Sequence, residues 1–475
     1  MLNSVDIQFL KQHNIDIDTA REQLERIKQS QRYLTLERAC THGDGITQIN
    51  DSDLYIKLWQ EACDKQNITK FVPASGAATR MFKELLAYIE SPQNNSPQIQ
   101  KFFQNLDKFA FYDQIPSHKH QKQIEVLQFL LTEEGLNYAN LPKALLLFHK
   151  YPQPRLAFEE HLAEAVNYIK KDGHCRLHFT ITEEHLPLFQ NLIDSKMNTW
   201  EQRWNSHFDI RFSHQEHCTD SLSLNQQGEL WRTENGKPLL RPAGHGALIH
   251  NLNNCDSDII VLKNVDNVCP DSRKNDTYLW KKVLIGLLYD LQQQSFRFLE
   301  KLHANPDEQT IREAHNFAKN SLHIAHSQEL SPTELIDFLN RPLRVCGVVP
   351  NTGEPGGGPF WVKEPHGCSC QIVEKVQILP EQQDIMQNAS HFNPVDVVCG
   401  VKNFRGEKFD LHKYVNHDAF ITVEKSHRGK YLKSIERPGL WNGSMHYWNT
   451  IFVEVPITTF TPVKTIFDLL REEHL

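Results

Sequence analysis

Chemistry on a phosphate ester needs main-chain N–H groups that an anion can reach, cations to offset its charge, and a hard oxygen ligand for a divalent ion. The stretch Phe71-Val72-Pro73-Ala74-Ser75-Gly76-Ala77-Ala78-Thr79-Arg80-Met81 offers the first two, and Phe82-Lys83-Glu84-Leu85-Leu86 follows at once. It reads as strand, tight turn and helix start, where unpaired backbone N–H groups face outward. Small side chains let an anion approach the main chain, and Arg80 adds a forked, charge-assisted contact. A plain packing turn would use the same small residues.

Four later features suit the same chemistry, and each has an ordinary reading beside it. Lys143 follows a proline and opens the apolar run Ala144-Leu145-Leu146-Leu147-Phe148, so it can set an ammonium beside phosphates or simply face solvent. In Arg241-Pro242-Ala243-Gly244-His245-Gly246-Ala247-Leu248, two glycines flank a histidine. The backbone can pass close to a base or a sugar there, or make a tight structural turn. Asp266-Asn267 closes the apolar strand Ile259-Ile260-Val261-Leu262, a place for Mg²⁺ held partly through substrate phosphates, or for a helix cap. Lys464 stands just before a helix in Phe460-Thr461-Pro462-Val463-Lys464-Thr465-Ile466-Phe467-Asp468-Leu469-Leu470. The pair Cys368-Ser369-Cys370 lies near His366, but no second pair at finger-like spacing accompanies it. It is read as ordinary thiols rather than a zinc site.

The elements that must position these residues follow from periodicity. Phe71-Val72, Leu177 to Thr182, Ile259 to Leu262, Leu343 to Val349, Gln371 to Val376, Val395 to Gly400 and Thr450 to Val455 read as strands. Phe158 to Ala165 and Glu183 to Gln190 read as helices between them. Strand and helix in alternation predict an α/β fold with a doubly wound, mostly parallel mixed sheet whose ligand site lies at the carboxyl ends of the strands. Residues 1–68 read as a helical N-terminal region, and residues 69–475 as the α/β domain with helical insertions near 87–138 and 276–340. Net charge of −8 over 475 residues, with pI near 6.3, argues against a general nucleic-acid binder. The first residues lack a basic and apolar leader, and no apolar run is long enough to span a bilayer. A cytosolic protein with reduced thiols is expected.

The order of these motifs resembles that of the UDP-sugar pyrophosphorylases. Ala74 to Met81 is similar to their L-A-G-G-x-G-T-R-L loop, Pro142-Lys143-Ala144-Leu145 to their P-K-x-L motif, and Arg241 to Leu248 to their P-x-G-H/N-G-G segment. Val265-Asp266-Asn267 matches their V-D-N site. Gly347-Val348-Val349 with Val373-Glu374 resembles their sugar-side strands, and Phe460 to Leu470 their F-x-P-V-K-x-x-x-D-L-L segment. The whole chain also looks like a bacterial family known only as a domain of unknown function.

The resemblance implies the nucleotide-diphospho-sugar transferase fold, which is GT-A-like, and a nucleotidyltransferase. Such an enzyme joins a sugar-1-phosphate to the α-phosphate of a nucleoside triphosphate, UTP in the closest motifs, and releases pyrophosphate with Mg²⁺ as cofactor. It implies that Ala74, Ser75, Gly76, Ala77, Ala78 and Thr79 hold the nucleotide, with Arg80 on its phosphates and Gly244, His245 and Gly246 bordering base and ribose. Lys143 and Lys464 would serve the reacting phosphates, Asp266 the metal, and Glu374 with Asn267 the sugar. A silent nucleotide-sugar binding protein and a metal-dependent glycosyltransferase are the alternatives on the same fold. Where the relatives' loop has glycines this chain has Ser75 and Ala78, and a positive φ would be costly at Ala78. Residues 351–361 are expected to form a lid or hairpin loop, and residues 438–449 a sugar-gripping segment or a buried aromatic corner.

Overall fold

The computed structural model describes residues 2–29, 31–93, 96–304, 306–326, 328–353, 356–427 and 430–475. Contacts divide the chain into two discontinuous units: Met1–Leu58, Gln215–Ile260 and Leu284–Glu454 in the first, and Trp59–His214, Val261–Val283 and Val455–Leu475 in the second.

The second unit is built on neighbouring strands in the order Ile259–Lys263, Ile68–Pro73, His174–Thr180, His207–Ser213, the first of which straddles the division. The last three run parallel, in register from Thr69 opposite Arg176 to Pro73 opposite Thr180. Ile68 to Val72 are all buried, as parallel strands covered on both faces require. The helices Ala157–Tyr168 and Leu186–Trp204 supply the crossovers, and Asn205 ends the longer one in the left-handed region at φ 45°. Residues 87–138 take in the end of helix Lys83–Glu90 and, among the described residues, the helices Pro97–Gln104 and Gln123–Leu131. Phe102, Phe109, Phe111 and Leu127 from this region share one buried core with Phe82, Leu85 and Val463.

The first unit holds the strand order Thr41–His42, Gly45–Thr47, Asn449–Glu454, Leu343–Pro350, His391–Gly400, parallel except for the last pair. A second, antiparallel sheet orders Leu36–Ala39, Gly357–Glu364, Gly367–Glu374 and Ala325–His326. Three helices, Asn275–Ala304, Glu308–Asn320 and Pro332–Leu339, occupy most of residues 276–340. The protein is therefore mixed α/β with mostly parallel main strands and many helices. No helix among the described residues is long and apolar enough to cross a membrane.

Two local expectations change. Residues 1–68 are not purely helical: besides Ser4–Gln12, Ile17–Lys28 and Ser52–Lys65 they contain Leu36–Ala39 and two shorter strands. Leu36–Ala39 is a strand because it pairs with Val362 to Phe360, a tertiary partner its own four residues do not announce. The glycine-rich stretch is not a free lid: Gly357 opens a strand, and Glu354 with Pro355 lies outside the described residues. A Cβ at Gly357 would stand 2.8 Å from Ile372 Cγ2, so close packing explains the glycine.

Candidate functional site

The loop after strand Ile68–Pro73 is held at both ends. Ala74 N–H donates to Thr180 O at 2.8 Å, and Ala78 N–H to Leu141 O at 2.9 Å. Between them the amides of Ser75, Gly76 and Ala77 donate to no group among the described residues. Ala77 bridges Pro142, so the loop lies against the turn that carries Lys143. Neither Ser75 nor Ala78 has a positive φ. The expected cost of alanine here does not arise, because the loop is set by its two neighbours and needs no left-handed residue. Ala74 and Ala78 are buried and serve as packing, and Thr79 Oγ1 donates to Ala139 O at 2.9 Å. The groups left facing outward are Gly76, Ala77 and the exposed Arg80, which has no ion pair among the described residues.

Lys143, Asp266 and Lys464 come together from segments more than a hundred residues apart. Lys143 Nζ donates to Asp266 Oδ2 at 2.8 Å and to Val463 O at 2.8 Å, while Lys464 Nζ lies 3.5 Å from the same Oδ2. Burial would raise the Asp266 carboxyl, but the two ammonium groups outweigh it and hold the group ionised, below the ordinary carboxylate range. Asp266 Oδ1 has no partner among the described residues. Two lysines against one carboxylate leave excess positive charge, which suits a polyanion.

Asn267 corrects an expectation. It is 2% exposed, accepts from Thr461 N–H through Oδ1 at 2.8 Å and donates through Nδ2 to Thr459 O at 3.4 Å. Its carboxamide is spent on tethering the segment that delivers Lys464, so it does not face a sugar.

Beneath this cluster lies a buried charge network that sequence reasoning missed. Glu164 accepts from Lys70 at 2.7 Å and from Lys263 at 2.8 Å, all three with side chains 2% exposed or less. On the same helix, His161 donates through Nε2 to Val265 O at 3.1 Å, which fixes the residue before Asp266. Burial, with Lys70 adding to it, holds His161 neutral, and the bond to Val265 O places its proton on Nε2. The available signal was a lysine embedded in each of two apolar strands, Lys70 and Lys263, because a buried cation demands a buried partner.

Burial pushes the Lys70 ammonium down to about 7 despite the pull of Glu164. An unfolded lysine titrates near 10.4, so between about pH 7 and 10 the unfolded chain binds more protons and stability rises with pH. The melting midpoint is expected to climb from pH 7 to 9, and Lys70→Met to flatten that slope; an unchanged slope would refute the assignment.

In the first unit, His245 stacks on Trp441 with centroids 4.3 Å apart and accepts from Leu440 N–H through Nδ1 at 3.0 Å. Burial pushes it down to about 4, so it is a neutral imidazole. Gly244 has φ 75°, and a Cβ at Gly246 would stand 2.1 Å from Pro438 O. Both glycines therefore serve close backbone packing against residues 436–438. Gly246→Ala is expected to cost about 3 kcal/mol in a denaturant titration, the upper end for overpacking; a loss under about 0.5 kcal/mol would show that the turn shifts freely. Glu374 ends its strand near Asn442 and Glu436, and burial raises its carboxyl. Residues 438–449 form the buried corner rather than an open grip, with Leu440, Asn442, Met445 and Trp448 all buried.

Mixed α/β architecture with a small-residue loop and a lysine–aspartate cluster is the class these observations define. The chain belongs to the family described as Domain of unknown function (DUF4301), which matches residues 3–475. No curated protein matches it. Similar solved structures include a mutant UDP-glucose pyrophosphorylase from Leishmania major in complex with UDP-glucose, at 12% identity and TM-score 0.49, over 99% of this chain and 79% of that one. Another is UDP-glucose phosphorylase from Trypanosoma brucei, at 13% identity and TM-score 0.48, over 98% and 77%. A third is uridine diphosphate N-acetylglucosamine pyrophosphorylase from Trypanosoma brucei in complex with inhibitor, at 12% and 0.47, over 96% and 74%.

Proposed function

We propose that this protein is a nucleotidyltransferase of the nucleotide-diphospho-sugar transferase type, joining a sugar-1-phosphate to the α-phosphate of a nucleoside triphosphate, UTP by the motif order. The observation that carries the reading is the meeting of Lys143 and Lys464 on one oxygen of Asp266, beside a turn that bridges the small-residue loop. In this reading the amides of Ser75, Gly76 and Ala77 and the guanidinium of Arg80 take the triphosphate. Lys143 and Lys464 offset the repulsion between the two anions. An oxygen of the sugar phosphate attacks the α-phosphorus, the bond to the β-phosphate oxygen breaks, and pyrophosphate leaves. The attacking phosphate has a second pKa near 6 and is largely a dianion at neutral pH. It needs no general base. Catalysis then comes from positioning and charge stabilisation.

Asp266 Oδ1 is the oxygen that would hold Mg²⁺ in concert with substrate phosphates, since this ion commonly takes only one or two protein carboxylates. Bound there, it would supply further neutralisation of the phosphate charge.

The test is pyrophosphate release from each nucleoside triphosphate paired with a panel of sugar-1-phosphates in the presence of Mg²⁺. Release with at least one pair is expected. Nucleotide-sugar binding without release from any pair would make the protein a binder, and sugar transfer from a nucleotide-sugar donor would make it a glycosyltransferase.

A further inference from the structure

Away from the lysine–aspartate cluster, the first unit draws His42, His391 and Glu454 together at the ends of three strands. Among the described residues they are the one set of three or more His, Cys, Asp or Glu donors gathered within 4.8 Å of one another. His42 is the last residue of Thr41–His42, His391 the first of His391–Gly400, and Glu454 the last of Asn449–Glu454. Strand ends fix all three side chains on the rigid frame rather than on loops.

Both imidazoles aim Nε2 at the same carboxylate oxygen. His391 Nε2 lies 2.7 Å from Glu454 Oε2, and His42 Nε2 contacts the same atom. The other nitrogen of each ring is engaged elsewhere. Ser390 Oγ lies 2.8 Å from His391 Nδ1, and Gln48 Nε2 lies 3.2 Å from His42 Nδ1. A histidine that binds a metal through Nε2 keeps its proton on Nδ1 and needs an acceptor there. Ser390 Oγ can accept it, and the Gln48 carboxamide does so once turned to present its oxygen. His391 is 6% exposed, whereas the side chains of His42 and Glu454 are 41% and 31% exposed. One flank is thus anchored in the protein while the other faces water. Donors around a tetrahedral ion at about 2.1 Å are separated by roughly 3.4 Å, a spacing these atoms reach by small side-chain rotations.

We propose that His42, His391 and Glu454 form a binding site for a divalent transition-metal ion of the zinc type, with two imidazoles, one carboxylate and water as ligands. Two nitrogens with one oxygen exclude a preference for Mg²⁺ or Ca²⁺, which take oxygen ligands. The site is independent of the nucleotidyltransferase reading, since none of its residues belongs to the lysine–aspartate cluster.

The experiment uses the full chain, stripped with a chelator and dialysed against Zn²⁺ at low micromolar concentration. Bound zinc is measured by atomic emission, and Co²⁺ loading by its visible absorption. About one zinc per chain is expected, together with an absorption pattern of low coordination number. His42→Ala and Glu454→Gln are each expected to weaken zinc binding at least tenfold, since the first removes a ligand and the second the anionic charge of one. Cys368→Ser should retain the ion, which separates this site from the Cys368-Ser369-Cys370 segment. Circular dichroism checks that His42→Ala, at a half-exposed position, is folded. The proposal is overturned if the wild type takes up no zinc, if His42→Ala binds it as tightly as the wild type, or if Cys368→Ser is the variant that loses it. Each readout is independent of pyrophosphate release.

Discussion

Lys464→Ala is expected to lower the rate of pyrophosphate release by about 10²–10³, the loss seen when one preorganised charge partner of a transition state is removed. Its side chain is 54% exposed and its contact to Asp266 is a 3.5 Å ion pair. Exposed pairs of this kind contribute about 0–1 kcal/mol to stability, so the melting midpoint should hardly move. Loss of rate without loss of fold is the signature sought. Lys143→Met should be at least as damaging to rate, but less clean, because Lys143 is 15% exposed and leaves Asp266 with one cation fewer. The fall should appear in kcat and in kcat/KM together, as for an interaction made in the transition state. If Lys464→Ala keeps near-normal turnover, the lysine is not part of the chemistry.

Glu164→Gln is expected to be the most destabilising substitution in the second unit. It removes the only carboxylate that Lys70 and Lys263 share within hydrogen-bonding distance among the described residues, and leaves two buried lysine amines without their charge partner. Breaking a buried ion pair from one side costs about 3–5 kcal/mol. For a unit of this size that corresponds to a midpoint lower by roughly 10 °C. The combined change Lys70→Met, Glu164→Leu, Lys263→Met replaces the charges by apolar groups of similar bulk and should recover most of the loss. A midpoint shift below about 2 °C for Glu164→Gln would mean that the lysines shed their protons at no cost.

The alternation of apolar strands with amphipathic helices was legible because each buried strand, such as Ile259–Lys263, is a continuous apolar run bounded by polar residues. The loop, Lys143, Asp266 and Lys464 were legible as motifs, and the fold brings the last three together. What was not legible depends on partners distant in sequence. Leu36–Ala39 becomes a strand only through residues 360–362. Asn267 looks like a polar group at a strand end, and only the return of Thr459 and Thr461 shows that its carboxamide is spent. His42 lies 412 residues from Glu454 and His391 lies 63 from it, and the three share no motif spacing. The segment Phe158 to Ala165 read as a helix by its spacing, but that its acidic residues face inward was not legible, because it takes two strands bringing lysines to meet Glu164.

The second unit is completed by Val455–Leu475, which brings Lys464 to Asp266 and sets His474 against His149 at 3.0 Å. The first unit needs nothing beyond Glu454. On the ribosome, where chains emerge at about 5–20 residues per second, residues 59–214 must therefore wait through some 240 further residues, roughly 12–50 seconds, for their last segment. During that interval the partners of Val463 and Ile466 in the core around Phe82 and Leu85 have no cover. The unit whose first segment is made early is the one that finishes last, and until it does its apolar core surface stays open to chaperones.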